Sequence, residues 1–316
     1  MVAAAVLVSR TGSAFVGVAA LAAANDAAAH SPDPAAGPEL PAGLWSVEPW
    51  VVCLLVLSGA LYALGVVRLW RHAGTGRGVQ SRQAMAFAAG WLALVVALAS
   101  PLDPLGGRLF TAHMVQHEVL MIVAAPLLVL GRPLAAWAWA LPIEGRRAFG
   151  RVFRTPAWSG PWVVVTGPLA AWTLHALALW LWHIPAWFDF ALAHDAVHAA
   201  QHAAFLFTAL LFWWSVLGAT TASDRGIALL SLFTTMVHTG ALGALLTLSP
   251  TPWYASYLAT APGLGFDPLE DQQLGGLIMW VPAGLVYLGC ALVLATRWLH
   301  GPATRPHAVP STEGVR

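Results

Sequence analysis

The sequence predicts an all-α integral membrane protein, built as a bundle of seven transmembrane helices. Of its 316 residues, 59% are hydrophobic and 9% are charged, and the mean hydropathy is +0.70. Soluble domains carry about 25% charged residues. Seven apolar stretches are long enough for a bilayer core of about 30 Å, which takes roughly 20 helical residues: 49–67, 84–100, 110–130, 162–182, 198–218, 226–249 and 273–296.

The placement of arginine predicts the orientation of the bundle. All 15 basic residues are arginine, and cytoplasmic loops are enriched in basic residues. Arg108 lies on the opposite side and Arg10 lies in the leader. The N-terminus is therefore predicted outside and the C-terminus in the cytoplasm, the cytoplasmic arginines being Arg68, Arg71, Arg77, Arg82, Arg132, Arg146, Arg147, Arg151, Arg154, Arg225, Arg297, Arg305 and Arg316.

The segments outside the spans suggest four parts of the chain. Residues 1–29 contain an apolar run followed by three alanines, which is typical of a signal peptide, although a retained N-terminal helix is the alternative. Residues 30–48 are predicted as an extracytoplasmic segment, 49–297 as the seven-helix membrane domain and 298–316 as a cytoplasmic tail.

The pattern H-x-x-Q-H occurs twice, as His113 to His117 and as His198 to His202. Residues four apart share one helix face, so each pattern presents two imidazoles on one side of a helix. Both helices are predicted to run inward from the outer surface, which puts the two pairs at the same depth. Ionisable residues inside a bilayer are costly and commonly functional, whereas the alternative is hydrogen bonding that packs the helices. We interpret the four histidines as metal ligands in the outer leaflet.

Further polar residues extend this candidate site. His183 falls at the outer end of the fourth span, His175 lies about two turns deeper, and His238 is near the middle of the sixth span. Glu118 is the acidic residue predicted inside a span, where it could be a ligand, a proton acceptor or a neutral carboxyl. Met114 offers a thioether beside the first pair. Gln116 and Gln201 are predicted to support the histidines of the opposite helix by hydrogen bonds.

The ligand types favour copper. Imidazole with thioether nearby suits copper, and zinc remains open on ligand identity, whereas magnesium and calcium prefer oxygen ligands. Cys53 and Cys290 lie in different spans and form no C-x-x-C pair, so a thiolate site is not predicted.

The order of several motifs resembles the polytopic cytochrome c oxidase assembly factors of the CtaG, or caa3-type, family. The motifs run in order from about residue 50 to 297 and comprise His113-Met-Val-Gln-His117 followed by Leu130-Gly-Arg-Pro133, then Trp182-His-Ile-Pro-Ala-Trp-Phe-Asp189, His198-Ala-Ala-Gln-His202 with Phe212-Trp-Trp214, and Asp271-Gln-Gln-Leu-Gly-Gly-Leu-Ile-Met-Trp-Val-Pro282.

The resemblance implies a non-enzymatic protein of the bacterial plasma membrane that helps to mature a haem–copper oxidase. It implies oxidase subunit I as a partner, with its buried copper centre as the target, and it suggests a periplasmic copper donor. It also attaches functional weight to five histidines: His113, His117, His183, His198 and His202. On this hypothesis His117 and His202 are the core ligands, His113 and His198 complete or gate the site, and Glu118 tunes it.

Two other functions remain open from the residues. A haem-binding membrane oxidoreductase could hold one haem between His117 and His202. A transporter could move copper or protons past Glu118, His175 and His238. No motif indicates a nucleic-acid partner, whereas the arginines near Trp137 and Trp139 predict contact with the anionic lipids of the inner leaflet.

Overall fold

The computed structural model of the chain describes residues 48–299, and this part is helical without any strand. The predicted signal peptide, almost all of the predicted extracytoplasmic segment and nearly all of the predicted tail lie outside the described residues. The helices, in chain order, are α1 Pro49–Ala73, α2 Ser81–Leu98, α3 Leu102–Gly106, α4 Phe110–Leu130, α5 Pro133–Ala140, α6 Ile143–Val152, α7 Pro156–Val165, α8 Pro168–Trp182, α9 Pro185–Leu192, α10 Asp195–Leu217, α11 Ala222–Leu248, α12 Ser256–Thr260 and α13 Pro268–Leu299.

Six helices within residues 48–299 are long and apolar enough to cross a membrane, namely α1, α2, α4, α10, α11 and α13. They coincide with six of the seven stretches expected from the sequence. The consecutive helices α7 and α8 meet the same criteria together and add a seventh span if they are counted as one. The chain is therefore an all-helical, multi-pass membrane protein with six to seven candidate spans.

The fourth expected stretch, 162–182, is not one continuous helix. Helices α7 and α8 are bent by 66° relative to each other at the Thr166-Gly167 connection. Pro168 begins α8, and the residue before a proline is disfavoured in the helical region. Gly167 is accordingly extended, with φ −62° and ψ 143°. The apolar pattern did not predict this break because hydropathy does not report the steric clash at Gly167-Pro168.

Helix α4 is the central element of the bundle. Of an apolar stretch of 18 residues in α4, 61% is buried, compared with 17–39% of the corresponding stretch in each of the other five single-helix spans. Residues Val119–Ala124 form a π-helical stretch just before Pro126. Proline has no N–H to donate to the carbonyl four residues earlier, and this missing hydrogen bond explains the widened turn just before Pro126. The indole Nε1 of Trp213 on α10 donates to the Met121 carbonyl in this stretch at 2.8 Å, which joins the two histidine-bearing helices.

Helices α11 and α13 cross where two glycines face each other. A Cβ on Gly276 would lie 2.8 Å from the Gly243 carbonyl oxygen, and one on Gly275 would lie 2.4 Å from the Phe110 ring. Gly275 and Gly276 therefore allow the neighbouring helices to approach α13 closely. As a result α13 packs against α11 on one side and against α4 on the other.

Candidate metal centre

Five histidine side chains converge where α4 and α10 begin and where α8 ends. His113 and His117 extend from α4, His198 and His202 from α10, and His183 from the turn after α8. Within each helix the paired ring centroids are 4.2 Å apart. Between the helices, the His117 and His202 centroids are 5.3 Å apart and those of His113 and His198 are 5.2 Å apart. The two H-x-x-Q-H faces therefore point at each other.

Three of these imidazoles are arranged so that they could share one metal ion. One ring nitrogen from each of His113, His117 and His202 lies within 4.8 Å of the others. Zinc and copper bind imidazole nitrogen at about 2.0–2.1 Å, so ligand nitrogens around such an ion are separated by less than about 4 Å. Small side-chain rotations would bring the three nitrogens to that distance.

Seven of the ring nitrogens of the cluster have no hydrogen-bond partner. Neither ring nitrogen of His113 or His117 has a partner at hydrogen-bond geometry, and the Nε2 atoms of His183, His198 and His202 also have none. His113 and His117 are 0% and 1% exposed. A buried polar group without a partner costs about 1–3 kcal/mol. Several such nitrogens close together make the cluster a candidate metal site.

His183 is held in one tautomer by its own helix. Its Nδ1 lies 2.7 Å from the Leu179 carbonyl oxygen, which can only accept, so Nδ1 carries the proton. The lone pair is therefore on Nε2, which faces the cluster side without a partner. The His183 and His117 ring centroids are 6.1 Å apart, so His183 is at the edge of the cluster. A backbone acceptor of this kind is the usual way in which a ligating imidazole is oriented.

An aromatic cap covers the cluster near the start of α4. We define it as Phe110, Phe188, Tyr254 and Tyr257, each no more than 2% exposed. The Tyr254 ring lies 4.9 Å from Phe110 and 4.2 Å from Phe188, and Phe188 lies 4.9 Å from His113. The sequence argument missed Tyr254 and Tyr257, although two tyrosines in a loop between apolar spans were the available signal.

His198 is the one partly exposed member of the cluster, while the other four are buried. It lies one turn below Asp195, which is exposed at the start of α10. His198 therefore lies at the α10 edge of the cluster, although its Nε2 is buried.

Two aspartates hold the surrounding elements in place. Asp271 of α13 accepts from the backbone N–H groups of Phe110 and Thr111 at 2.7 and 3.0 Å, so it caps α4. Asp271 thus caps a neighbouring helix, although it lies in the first turn of its own helix. Asp189 accepts from the backbone N–H of Ser256 at 3.1 Å, which fixes the loop that carries the aromatic cap.

The two glutamines behave differently from each other. Gln116 donates to the Ala97 carbonyl oxygen and to Asp103, both at 2.7 Å, so it braces α2 and α3 and not the histidines of α10. Gln201 is fully buried and approaches His113, but it does not reach hydrogen-bond geometry. Burial raises the pKa of Asp103 to about 6, and the hydrogen bond from Gln116 opposes that shift.

The remaining candidates lie outside the cluster. The Met114 side chain packs against α13, where its Cγ is 3.3 Å from the position of a Cβ on Gly275. Glu118 is 8% exposed, and its Oε2 has no partner. His175 and His238 are deeper in the membrane domain, where the Nδ1 of His175 is 3.2 Å from the Thr208 hydroxyl oxygen.

The chain is similar to proteins of mycobacteria. It is 26% identical over 277 residues to Uncharacterized protein Mb0105 of Mycobacterium bovis and 25% identical over 278 residues to Uncharacterized protein ML1998 of Mycobacterium leprae. Each match covers 81% of this chain but 39% of the relative, so the chain spans about two fifths of the length of these curated relatives. No solved structure matches the chain.

The family model for the cytochrome c oxidase caa3 assembly factor, Caa3_CtaG, matches residues 60–301. This range covers α2 to α13, most of α1, and both H-x-x-Q-H patterns. The chain therefore belongs to the Caa3_CtaG family of cytochrome c oxidase caa3 assembly factors.

Proposed function

We propose that this protein is a non-enzymatic assembly factor that handles copper for a haem–copper oxidase, using the outer-leaflet histidine cluster. The observation that carries the proposal is the set of buried imidazoles of His113, His117 and His202, which place one ring nitrogen each within 4.8 Å of the others. The ring nitrogens of His113 and His117 and the Nε2 of His202 have no hydrogen-bond partner. Membership of a cytochrome c oxidase assembly family supports copper as the cargo, because this class of oxidase contains copper.

The donor set also favours the monovalent state of copper. The three ligands are neutral, and the cost of burying an ion rises with the square of its charge in a low-dielectric medium. Imidazole is a borderline donor that suits copper. Cu(I) would therefore be held at a lower desolvation cost than a divalent ion, which gives a physical reason to prefer it over zinc.

The roles of the histidines follow from their surroundings. His117 and His202 are the core ligands, and His113 completes the set. His198 is partly exposed and serves as the exchange ligand, while His183 is an additional donor at the edge. Glu118 follows His117 and would tune the charge of the site, whereas Met114 is directed to packing.

The close packing argues against haem as the bound group. The Phe205 ring lies 4.5 Å from the His117 ring. A ring nitrogen of His113 lies within 4.8 Å of those of His117 and His202, so these side chains occupy the space that a haem macrocycle would need. A single small ion fits this arrangement better.

The setting of the site is part of the proposal. We place the protein in a bacterial plasma membrane with seven spans, the N-terminus outside and the C-terminus in the cytoplasm. The cluster then faces the extracytoplasmic side, where a periplasmic copper donor could load it and oxidase subunit I could receive the copper. Membrane lipids would contact α6, whose arginines are exposed or half-buried.

Copper content tests the proposal directly. The full chain is purified in detergent, loaded with Cu(I) under reducing conditions and desalted, and copper is measured per protein. We expect about one copper ion per protein at the cluster. In the His117→Ala/His202→Ala variant we expect the copper affinity of the cluster to fall at least about tenfold, since losing even an outer-shell partner of a metal site costs 10–100-fold in affinity. His194→Ala, which changes an exposed histidine, is the matched control. Equal copper in the wild type and the double variant would contradict the proposal.

The cellular role needs a second measurement. A deletion strain should accumulate oxidase with reduced copper content and activity, and the wild-type gene should restore both. The His117→Ala/His202→Ala gene should not restore them at equal membrane abundance. Full restoration by the double variant would show that the assembly role does not depend on the histidine cluster.

A further inference from the structure

A second group of polar side chains lies between α8 and α11, away from the cluster. Trp172 and His175 are three residues apart on α8, and Thr235 and His238 are three residues apart on α11. The Trp172 and His238 ring centroids are 5.8 Å apart. Residues three apart lie on adjacent positions of one helix face, so the two helices direct polar groups into a common space.

The polar atoms of this group are buried without partners. They are Trp172 Nε1, His175 Nε2, Thr235 Oγ1 and both ring nitrogens of His238. His175 and Thr235 are 1% and 0% exposed. A ligand between α8 and α11 would give these atoms the partners that buried polar groups usually have.

The contribution of Thr235 is unusual within its helix. The hydroxyls of Ser231, Thr234 and Thr239 donate to the carbonyl four residues earlier, at 2.8–2.9 Å. Thr235 makes no such bond, so its hydroxyl is free to interact elsewhere.

The hydrogen bonds of Thr208 determine the tautomer of His175. The Thr208 hydroxyl donates to the Ala204 carbonyl oxygen at 2.8 Å, so its oxygen must accept from His175 Nδ1 at 3.2 Å. His175 Nε2 is therefore unprotonated and presents a lone pair. Phe212 stacks on the imidazole at 5.4 Å and restrains its rotation.

His238 supplies the second donor. Its two ring nitrogens have no partner, and its imidazole lies 5.8 Å from the ring of Trp172, which is about one helical turn from His175 on α8. His175 precedes His183 by eight residues, which corresponds to about 12 Å along α8. This pair is thus separate from the cluster and deeper in the membrane domain.

The chemistry of the group selects the ligand. It offers two neutral imidazoles, a hydroxyl and an indole, and none of these side chains is a carboxylate or a thiolate. A divalent ion would leave its charge uncompensated here, whereas Cu(I) accepts two imidazoles in near-linear coordination. The Trp172 ring could add a cation–π contribution.

We propose that His175 and His238 form a second metal site, which binds one Cu(I) ion deeper in the membrane than the histidine cluster. The choice of copper rests on the proposed function, but the site itself rests on its own orphaned nitrogens. Two positions in one protein would allow a second ion to be stored while the outer one is exchanged.

Metal stoichiometry tests this proposal and separates it from the first. The full chain in detergent is loaded anaerobically with Cu(I), and copper is counted in wild type, His175→Ala/His238→Ala, His117→Ala/His202→Ala and the control His194→Ala. We expect about two ions in wild type and control, one in each double variant, and none when all four histidines are replaced. His175→Gln/His238→Gln serves as a second variant if alanine impairs folding, which size-exclusion chromatography monitors.

The outcomes of this experiment are distinct. Equal copper in wild type and in the His175/His238 variants overturns the second site and leaves a hydrated pocket. Loss confined to the His175/His238 variants supports the second site while contradicting the cluster. In the His117→Ala/His202→Ala protein, X-ray absorption at the copper edge should report two nitrogen donors, and a signal from three or more donors would oppose a two-histidine site.

Discussion

At the scale of single residues, hydrogen bonds determine what each polar side chain can do. The two glutamines of the H-x-x-Q-H patterns occupy equivalent sequence positions, yet Gln116 binds Asp103 at 2.7 Å while Gln201 has no partner. The same holds for the histidines, since His183 and His175 are each oriented by a bond at Nδ1. The chemistry of a residue here depends on its neighbours across the helix interface.

Asp103 should make the stability of the fold dependent on pH. Burial raises the pKa of Asp103 from 3.8 to about 6, so the folded state binds its proton more tightly than the unfolded state. The stabilisation is present below about pH 4 and is lost as pH rises through about 6. At pH 8 we expect Asp103→Asn to have a free energy of unfolding up to about 2 kcal/mol higher than wild type, and so a higher melting temperature. At pH 4 we expect the two proteins to be equally stable.

Thermal unfolding in detergent from pH 4 to pH 8 measures this difference. The amide can still accept the bond from Gln116, so the comparison isolates the charge. Parallel pH profiles for the two proteins would show that Asp103 does not titrate in this range.

At the scale of helices, close packing decides where the site-bearing elements lie. α13 contacts α4 through Gly275 and α11 through Gly276, and Asp271 at its start caps α4. The π-helical stretch before Pro126 and the bond from Trp213 then set the position of α4 against α10. The alignment of the two histidine pairs depends on all of these contacts.

Gly276→Ala should destabilise the crossing of α11 and α13. The added Cβ would meet the Thr247 hydroxyl oxygen at 2.6 Å and the Gly243 carbonyl oxygen at 2.8 Å, so the helices must move apart. We expect a loss of about 1–3 kcal/mol, as for other overpacked sites. Gly284→Ala in the same helix meets nothing within 4 Å and should be neutral or stabilising by up to about 1 kcal/mol.

Unfolding of the two alanine variants in detergent, followed by circular dichroism, provides the comparison. If both variants melted together with wild type, the close approach of the two helices would not matter for stability.

At the scale of the whole molecule, the distribution of arginine should determine the orientation in the membrane. Arg146, Arg147 and Arg151 lie on α6, and Arg71, Arg77 and Arg82 lie in or beside the loop after α1. Basic loops stay in the cytoplasm. We expect green fluorescent protein fused after Arg316 to fluoresce and alkaline phosphatase fused there to be inactive. Active phosphatase at that position would invert the topology and place the histidine cluster on the cytoplasmic side.

The sequence by itself determined the class of the protein and the local arrangement of its donors. Composition and apolar stretches predict a multi-pass helical protein because the bilayer demands about 20 apolar residues per span. The four-residue spacing puts each histidine pair on one helix face because the α-helix repeats every 3.6 residues. Both are local properties, so they can be derived without knowledge of the packing.

The tertiary structure alone decided which donors meet. It joined His183 to the two pairs, kept Met114 against α13, and brought His238 beside Trp172, about one turn from His175. It also covered the cluster with tyrosines from a distant loop. These outcomes depend on contacts between residues far apart in the chain, where helix rotation and close packing, and not local periodicity, set the distances between side chains.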